Sequence, residues 1–416
     1  MPRAELAITG VGIQSAIGQG RTAFAAALLE GRHRFDVMRR PGRQRPLVAG
    51  TVDVAPTRFI GAEMDDPVLP PSVPHSMART LSLSGRAALA CLNEAWEDAA
   101  LDRYAPERVG LVVGGSNLQQ RELVNMHDAY RGREQFLRPT YGMSFMDSDL
   151  CGVCTQVFGI RGPAFTIGGA SASGQVAVIE AAQAVASGRV DVCIAIGGLM
   201  DLSYWECQGL RSLGAMGSDR YADAPALACR PFDQSSDGFV FGELCGAVVI
   251  ESQASARQHQ RTPYARLAGW AMIMDAHRNP DPSGPGEVAV IQSALQHAGL
   301  SPHDIDYVNP HGTGSNLGDK TEVGALRECG LEHAYLNTTK SLTGHGLSAA
   351  GTAELIAVLL QMREGQLHPA RNLDQPISSS MNWVGPRAVS HSVQNALNLS
   401  MGFGGTNTAV CVQRCA

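Results

Sequence analysis

Lysine is almost absent from this chain. Of its 33 basic residues only two, Lys320 and Lys340, are lysines. A base composition favouring arginine codons accounts for the bias, yet both survivors stand inside histidine-bearing motifs. A compact ammonium is not interchangeable with a planar guanidinium where space is tight. Lys340 is therefore expected to be buried near His345, with Glu354 on the helix that follows as its counter-charge. An uninterrupted apolar run of membrane-spanning length is also missing; the longest, near 347–362, carries Glu354. The first apolar stretch is broken by glycines and reads as a strand and turn rather than a signal peptide. The ten cysteines are scattered, and their one close pair, Cys151 and Cys154, lacks the second pair a zinc site needs. That pair reads as two small packed residues, with a redox motif as the alternative; no metal is expected. Reduced thiols imply a cytoplasmic protein. An excess of positive charge is absent too: a net charge of −6 argues against a general nucleic-acid binder.

What is present is a long, glycine-rich α/β pattern. The chain has 416 residues, 44% of them hydrophobic, enough for a large core, and 46 glycines that cluster at strand-to-helix turns. Strands are expected at 5–13, 108–114, 163–167, 190–196 and 245–251, with helices between them at 82–100 and 171–187. A second series places strands at 265–273, 307–309, 334–337, 396–401 and 409–413, and helices at 287–298, 319–329 and 347–363. Two related β/α units with a join near 251–264 would give this alternation, so halves are expected at 1–255 and 256–416. Two stretches look external. Residues 31–45 hold six arginines without an apolar period and read as a solvated loop or as a docking face for an acidic partner. Residues 61–74 are proline-rich.

Ser171 is the most informative residue. The β-prone run Phe165-Thr-Ile167 gives way, through Gly-Gly-Ala, to Ser171 and a small, apolar helix. A residue at such a junction meets free backbone N–H groups and the positive end of the helix dipole. That setting lowers a thiol's pKa and makes a nucleophile, but here it holds a hydroxyl. Downstream, Tyr307-Val-Asn-Pro-His-Gly-Thr-Gly-Ser315 and Gly318-Asp-Lys-Thr-Glu322 place His311 just after a strand. Asn337-Thr-Thr-Lys-Ser-Leu-Thr-Gly-His-Gly346 places Lys340 and His345 just before an apolar helix, and Met401-Gly-Phe-Gly-Gly-Thr-Asn407 is a glycine-rich bend between two strands.

These motifs, with Ala7-Ile-Thr-Gly-Val-Gly-Ile13 and Arg230-Pro-Phe-Asp-Gln-Ser-Ser-Asp-Gly-Phe-Val-Phe-Gly-Glu243, resemble the β-ketoacyl-ACP synthases over essentially the whole chain. The resemblance implies a thiolase-like five-layer αβαβα sandwich of two duplicated βαβαβ-type halves, usually a homodimer. It puts Ser171 at the family's catalytic cysteine and matches His311, His345, Lys340 and Phe403 to its other site positions. Thr313 and Ser315 match positions that hydrogen-bond a phosphopantetheine arm, which arrives on an acyl carrier protein; no resident cofactor is implied. Phe403, in the turn it shares with Gly404, would gate the pocket and, through its N–H and that of Ser171, form an oxyanion hole. Gly168 and Gly169 leave room beside the site, while Ser236 and Leu244 replace the arginine and glycine usual there.

The serine decides between activities. A serine hydroxyl is roughly five pKa units less acidic than a thiol, so forming its anion costs about 7 kcal/mol more. Acyl loading is therefore expected to be slow or absent. Loss of CO2 from a malonyl thioester needs no acyl-enzyme, only donors for the enolate oxygen, and His311 and His345 suit that task. The pattern resembles the ketosynthase-like malonyl-ACP decarboxylases of polyketide β-branching cassettes. Two alternatives stand beside it: serine-dependent acyl transfer or condensation, and a non-catalytic partner like the chain-length factors, which generally lose the histidines this chain keeps.

Overall fold

The computed structural model describes residues 5–45 and 57–415. Ten strands in two sets of five carry the fold. The first set is β1 (Leu6–Ser15), β2 (Val109–Gly114), β3 (Ala164–Ile167), β4 (Val192–Gly197) and β5 (Leu244–Ser252). The second is β6 (Ala265–Met274), β7 (Tyr307–Asn309), β8 (Tyr335–Leu336), β9 (Asn395–Gly402) and β10 (Thr406–Gln413). Each set has the same spatial order, third-second-fourth-fifth-first: β3-β2-β4-β5-β1 and β8-β7-β9-β10-β6. The first three strands of that order run parallel and the remaining pairings are antiparallel in both. The sheets join where β1 pairs with β6 through Leu6↔Leu267, Ala7↔Arg266 and Ile8↔Ala265. The duplication invisible as sequence identity is thus plain in the topology.

Helices make the other three layers. Helix α1 (Leu83–Ala99) covers the outer face of the first sheet, and α3 (Gly284–Ala298) and α4 (Asn316–Glu328) cover that of the second. Between the sheets lie α2 (Ser173–Ala186) and α5 (Ala350–Glu364), which pack on each other and on strands of both halves. The sequence explains the placement. Helix α5 is apolar on every side and is buried from Ala350 through Met362, whereas α1 buries one stripe and is capped by Ser82, whose Oγ accepts from Gly85 N. Strands β1, β2 and β4 are buried along their whole length, as strands covered on both faces must be. Strand β3, which edges the first sheet, is by contrast half-exposed.

The arginine-rich stretch corrects the sequence reading. Arg43 is fully buried, and its guanidinium bridges Asp201 at 2.8 Å and Glu243 at 2.7 Å, with Phe241 stacked beneath. Arg40 joins the same cluster through Glu243 at 2.7 Å. Three of the exposed arginines make ion pairs, Arg32 with Glu30, Arg34 with Asp65 and Arg39 with Asp36. The stretch is therefore a clamp on the core as much as a surface loop, in which Arg43 ties Asp201, also held by Arg121 at 2.8 Å, to Glu243, also held by Arg40. In the proline-rich 61–74 stretch, Met64, Pro67 and Val73 are buried as well. Cys151 and Cys154 are free thiols buried on the helix Ser148–Phe158. Helices at Arg21–Leu29, Gln120–Tyr130 and Tyr204–Ser212 escaped the sequence reading. No helix among the described residues is long and apolar enough to cross a membrane.

Candidate active site

Ser171 sits on a strained bend between β3 and α2. Ala170, just before it, has φ +48°, a left-handed conformation that costs a β-carbon-bearing residue roughly 1–2 kcal/mol. Local bonds hold it: Ser173 Oγ donates to Ala170 O at 2.7 Å and accepts from Gly169 N at 2.9 Å. The turn Ala170–Ala172 then feeds α2, so Ser171 stands at a helix N-terminus as the sequence implied. The end of β9 closes on this bend. A Cβ on Gly402 would lie 2.1 Å from Gly169 O, and Ser400 Oγ donates to Ser171 O at 3.3 Å. Beside them, a Cβ on Gly168 would meet only Ser116, at an ordinary 3.9 Å, whereas Gly169 is close-packed against Val176.

His345 reaches this bend from the other half. Its Nε2 lies 3.0 Å from Ser171 Oγ. Backbone bonds fix the residue: His345 N donates to Val240 O at 2.7 Å, and Gly242 N donates to His345 O at 3.1 Å. Leu244, one of the departures from the family pattern, packs its side chain over Gly346, where a Cβ would be only 2.6 Å away. His311 stands edge-on to His345, with ring centroids 5.4 Å apart and an interplanar angle of 83°.

Two buried carboxylates on α4 hold the His311 loop. Glu322 accepts from His311 N at 2.6 Å and Gly312 N at 2.8 Å; Asp319 accepts from Thr313 N at 3.0 Å, Gly314 N at 3.1 Å and Phe232 N at 2.6 Å. Ser236 adds a tie, its hydroxyl donating to Gly314 O while Asn316 Nδ2 donates to Ser236 O at 3.0 Å. Lys340 is fully buried behind His311, where Nζ donates to His311 O at 2.5 Å and pairs with Glu354. The expected counter-charge is present. Lys340 and Glu354 nevertheless lie off the cavity wall, and Lys340 meets the site through the His311 carbonyl. Lys320, the other lysine, is exposed.

Burial governs the electrostatics. It pushes both His311 and His345 well below the usual imidazole range, with the Lys340 charge adding to the effect, so both rings are neutral at neutral pH. Burial also lifts Glu354 to about 7 against the Lys340 ammonium.

Ser171, His311, His345, Thr313, Ser315 and Phe403 line one open cavity of about 110 Å³. Phe403 is 41% exposed at its wall. Gly404, at φ +91°, shapes the turn, and the wall itself is made by Gly402, Phe403 and Gly405. Thr313 Oγ1 accepts from Ser315 N at 3.2 Å, and Ser315 Oγ caps α4 by accepting from Gly318 N at 3.4 Å. The cavity also exposes Asp275, Glu287, Asp319 and Glu322, which sequence reasoning passed over. Asp319 and Glu322 were legible as a carboxylate pair three apart after a glycine-rich loop; Glu287 gave no signal beyond its place at the start of a helix.

Comparison with known proteins bears on the family. The family model for the β-ketoacyl synthase N-terminal domain matches residues 3–256, and that for the C-terminal domain matches residues 264–374. A polyketide biosynthesis malonyl-ACP decarboxylase, PksF of Bacillus subtilis (strain 168), is 58% identical over 98% of this chain and 96% of its own length. The 3-oxoacyl-[acyl-carrier-protein] synthase 2 of Coxiella burnetii is 28% identical over 100% of this chain and 99% of its own. Among solved structures, a β-ketoacyl synthase from Burkholderia phymatum superposes with a TM-score of 0.89 at 25% identity, over 99% of this chain and 100% of that one. A type II polyketide ketosynthase captured with its acyl carrier protein matches with a TM-score of 0.83 at 24% identity, over 99% of this chain and 100% of that one.

Proposed function

This chain belongs to the β-ketoacyl synthase family, and we propose that it uses the family's site to convert malonyl-ACP to acetyl-ACP and CO2 without forming a carbon–carbon bond, in polyketide β-branching. The observation that carries the reading is the state of Ser171. His345 Nε2 is 3.0 Å from its Oγ, the distance a general base needs, but His345 Nδ1 is buried with no partner among the described residues. No carboxylate orients the ring or would stabilise an imidazolium, and burial keeps it neutral. A serine nucleophile lacks the third member that makes a histidine a strong base. Capture of an acyl chain is disfavoured, and the acyl-transfer alternative loses its main support.

Decarboxylation has what it requires. The phosphopantetheine arm enters past Thr313 and Ser315, with Phe403 at the cavity wall, and puts the malonyl thioester oxygen between His311 and His345. As the C2–C3 bond breaks, its electron pair forms the enolate, whose oxygen takes hydrogen bonds from the two neutral imidazoles. Such preorganised donors in a shielded pocket supply the largest share of catalysis in reactions of this type. Lys340, on the His311 carbonyl and Glu354, holds one donor in place. The N–H groups of Ser171 and Phe403 form a second oxyanion site.

Retention of both histidines argues against a non-catalytic partner. Residues 1–255 and 256–416 serve as the two halves, and the half-exposed edge strand β3, carrying Phe165, is a surface on which a homodimer would form. The protein acts in the cytoplasm with a malonyl-loaded acyl carrier protein and no resident cofactor. Intact-protein mass spectrometry of that carrier after incubation with the enzyme tests the reading: a malonyl-to-acetyl shift with no enzyme adduct is expected. A stable, turnover-competent acyl group on Ser171, or a longer β-ketoacyl product, would overturn it.

A further inference from the structure

Replacing CO2 by hydrogen requires a proton at C2, a demand that condensation does not make because an acyl carbon takes the electron pair instead. Neither histidine can meet it. Both are neutral, and each N–H is committed to the enolate oxygen. Another acid must face the same cavity.

Glu287 lies in the first turn of α3, 2% exposed, on the wall that also carries Ser171 and His311. Its Oε2 is buried with no hydrogen-bond partner among the described residues. A buried carboxyl oxygen in that state has given up its water without gaining a bond in exchange. Its neighbours differ from it in one respect. Glu322 is anchored by two backbone N–H groups and Asp319 by three, and such bonds favour the carboxylate anion. No backbone N–H does this for Glu287. The charged and titratable groups that share its cavity are Glu322 and Asp319 from α4, Asp275 and Asp281 from the segment after β6, and His311 and His345 across it; Lys340 lies behind, on the His311 carbonyl. Burial and the three carboxylates hold Glu287 well above the usual carboxylic range. Among these acids it is the one whose neutral form the surroundings favour most.

We propose that Glu287 is the general acid of the reaction, delivering the proton that takes the place of CO2 on C2. The inference rests on the decarboxylase reading above. When the C2–C3 bond breaks, CO2 leaves and the electron pair becomes the C1–C2 double bond of the enolate. C2 then takes the proton from the Glu287 carboxyl, whose O–H electrons stay on the carboxylate as the C1–O carbonyl re-forms. Water entering the open cavity returns the proton to Glu287. The sum is malonyl-ACP plus one proton giving acetyl-ACP and CO2.

The test compares the wild type with Glu287→Gln and Glu287→Ala on malonyl-loaded carrier protein, reading acetyl formation by mass. Glu287→Gln keeps shape but has no acid proton, and its rate should fall by about 10²-fold or more. The wild-type rate should decline at alkaline pH as Glu287 ionises, and that limb should vanish in Glu287→Gln. Formate should restore part of the rate to Glu287→Ala by entering the vacated space, a rescue that a merely structural role would not give. A Glu287→Gln rate within threefold of wild type, or a slow Glu287→Ala enzyme that formate leaves unchanged although its melting temperature is wild-type, would overturn the proposal. If the wild type itself forms no acetyl-ACP, the decarboxylase reading fails instead.

Discussion

The two halves build the same bend and use it differently. In the first, Ala170 at φ +48° opens the turn Ala170–Ala172 that feeds α2; in the second, Leu347 at φ +50° opens the turn Leu347–Ala349 that feeds α5. Ser171 and Ser348 are the second residues of the two turns. Three residues on, Gly174 and Gly351 mark where the helices cross. A Cβ on Gly174 would lie 2.4 Å from Thr352 Oγ1, and one on Gly351 would lie 2.8 Å from Gln175 Cβ. Yet Ser171 faces the cavity beside His345, whereas Ser348 is buried and donates to Gly198 O at 2.8 Å. Duplication copied the backbone geometry, not the chemistry. The first half offers a hydroxyl at a helix end; the second supplies the titratable groups, from Glu287 and His311 to Lys340, His345 and Glu354.

That contrast can be broken at its strongest point first. His311→Ala or His345→Ala should lower acetyl-ACP formation by about 10²–10³-fold, the loss typical of one oxyanion donor, measured by single-turnover mass shift of the carrier. Next, the second half should dominate the acid response of stability. His368 is buried and held at about 4, against 6.5 when unfolded. Below pH 6.5 the unfolded chain binds a proton that the folded chain refuses until about pH 4. Stability from this group is thus complete above 6.5 and declines by about 3 kcal/mol as pH falls to 4. The raised carboxyls Asp319, Glu322 and Glu354 act in the opposite sense, so the comparison is differential. Urea unfolding at pH 7 and 5 should show a smaller loss in His368→Gln than in wild type.

Smaller effects probe the symmetry itself. Gly174→Ala and Gly351→Ala should each cost about 1–3 kcal/mol by forcing the central helices apart, with matching falls in Tm; a large difference between them would mean the crossing is less symmetric than the backbone suggests. Ser348→Ala should lose about 1 kcal/mol of stability through the unpaired Gly198 carbonyl. Ser171→Ala should leave decarboxylation within a few-fold of wild type and stability nearly unchanged. Acetyl formation abolished in Ser171→Ala would erase the distinction between a bystander hydroxyl and a working one.

The expected strands and core helices recur in the structure because alternation and apolar periodicity are local signals. The bends were harder: helices expected from 171 and 347 begin with tight turns, since strain at Ala170 and Leu347 is imposed by packing rather than by residue type. Arg43 was misread for the same reason. An arginine looks solvated in sequence, and only Asp201 and Glu243, far along the chain, make its burial tolerable. His311, His345 and Ser171 stood out because their glycine-rich settings did.

The sequence by itself determined the family, the missing thiol, the buried lysine with its carboxylate, and the order of the strands along the chain. Those properties reside in residue identity and short spacing. Only the tertiary structure decided that His345 would rest on Ser171 with no carboxylate behind it, that Lys340 would act through a backbone carbonyl, and that Glu287 would face the reaction cavity unpaired. Each depends on desolvation and on partners brought together from distant parts of the chain, and no local pattern encodes how much water a side chain will lose.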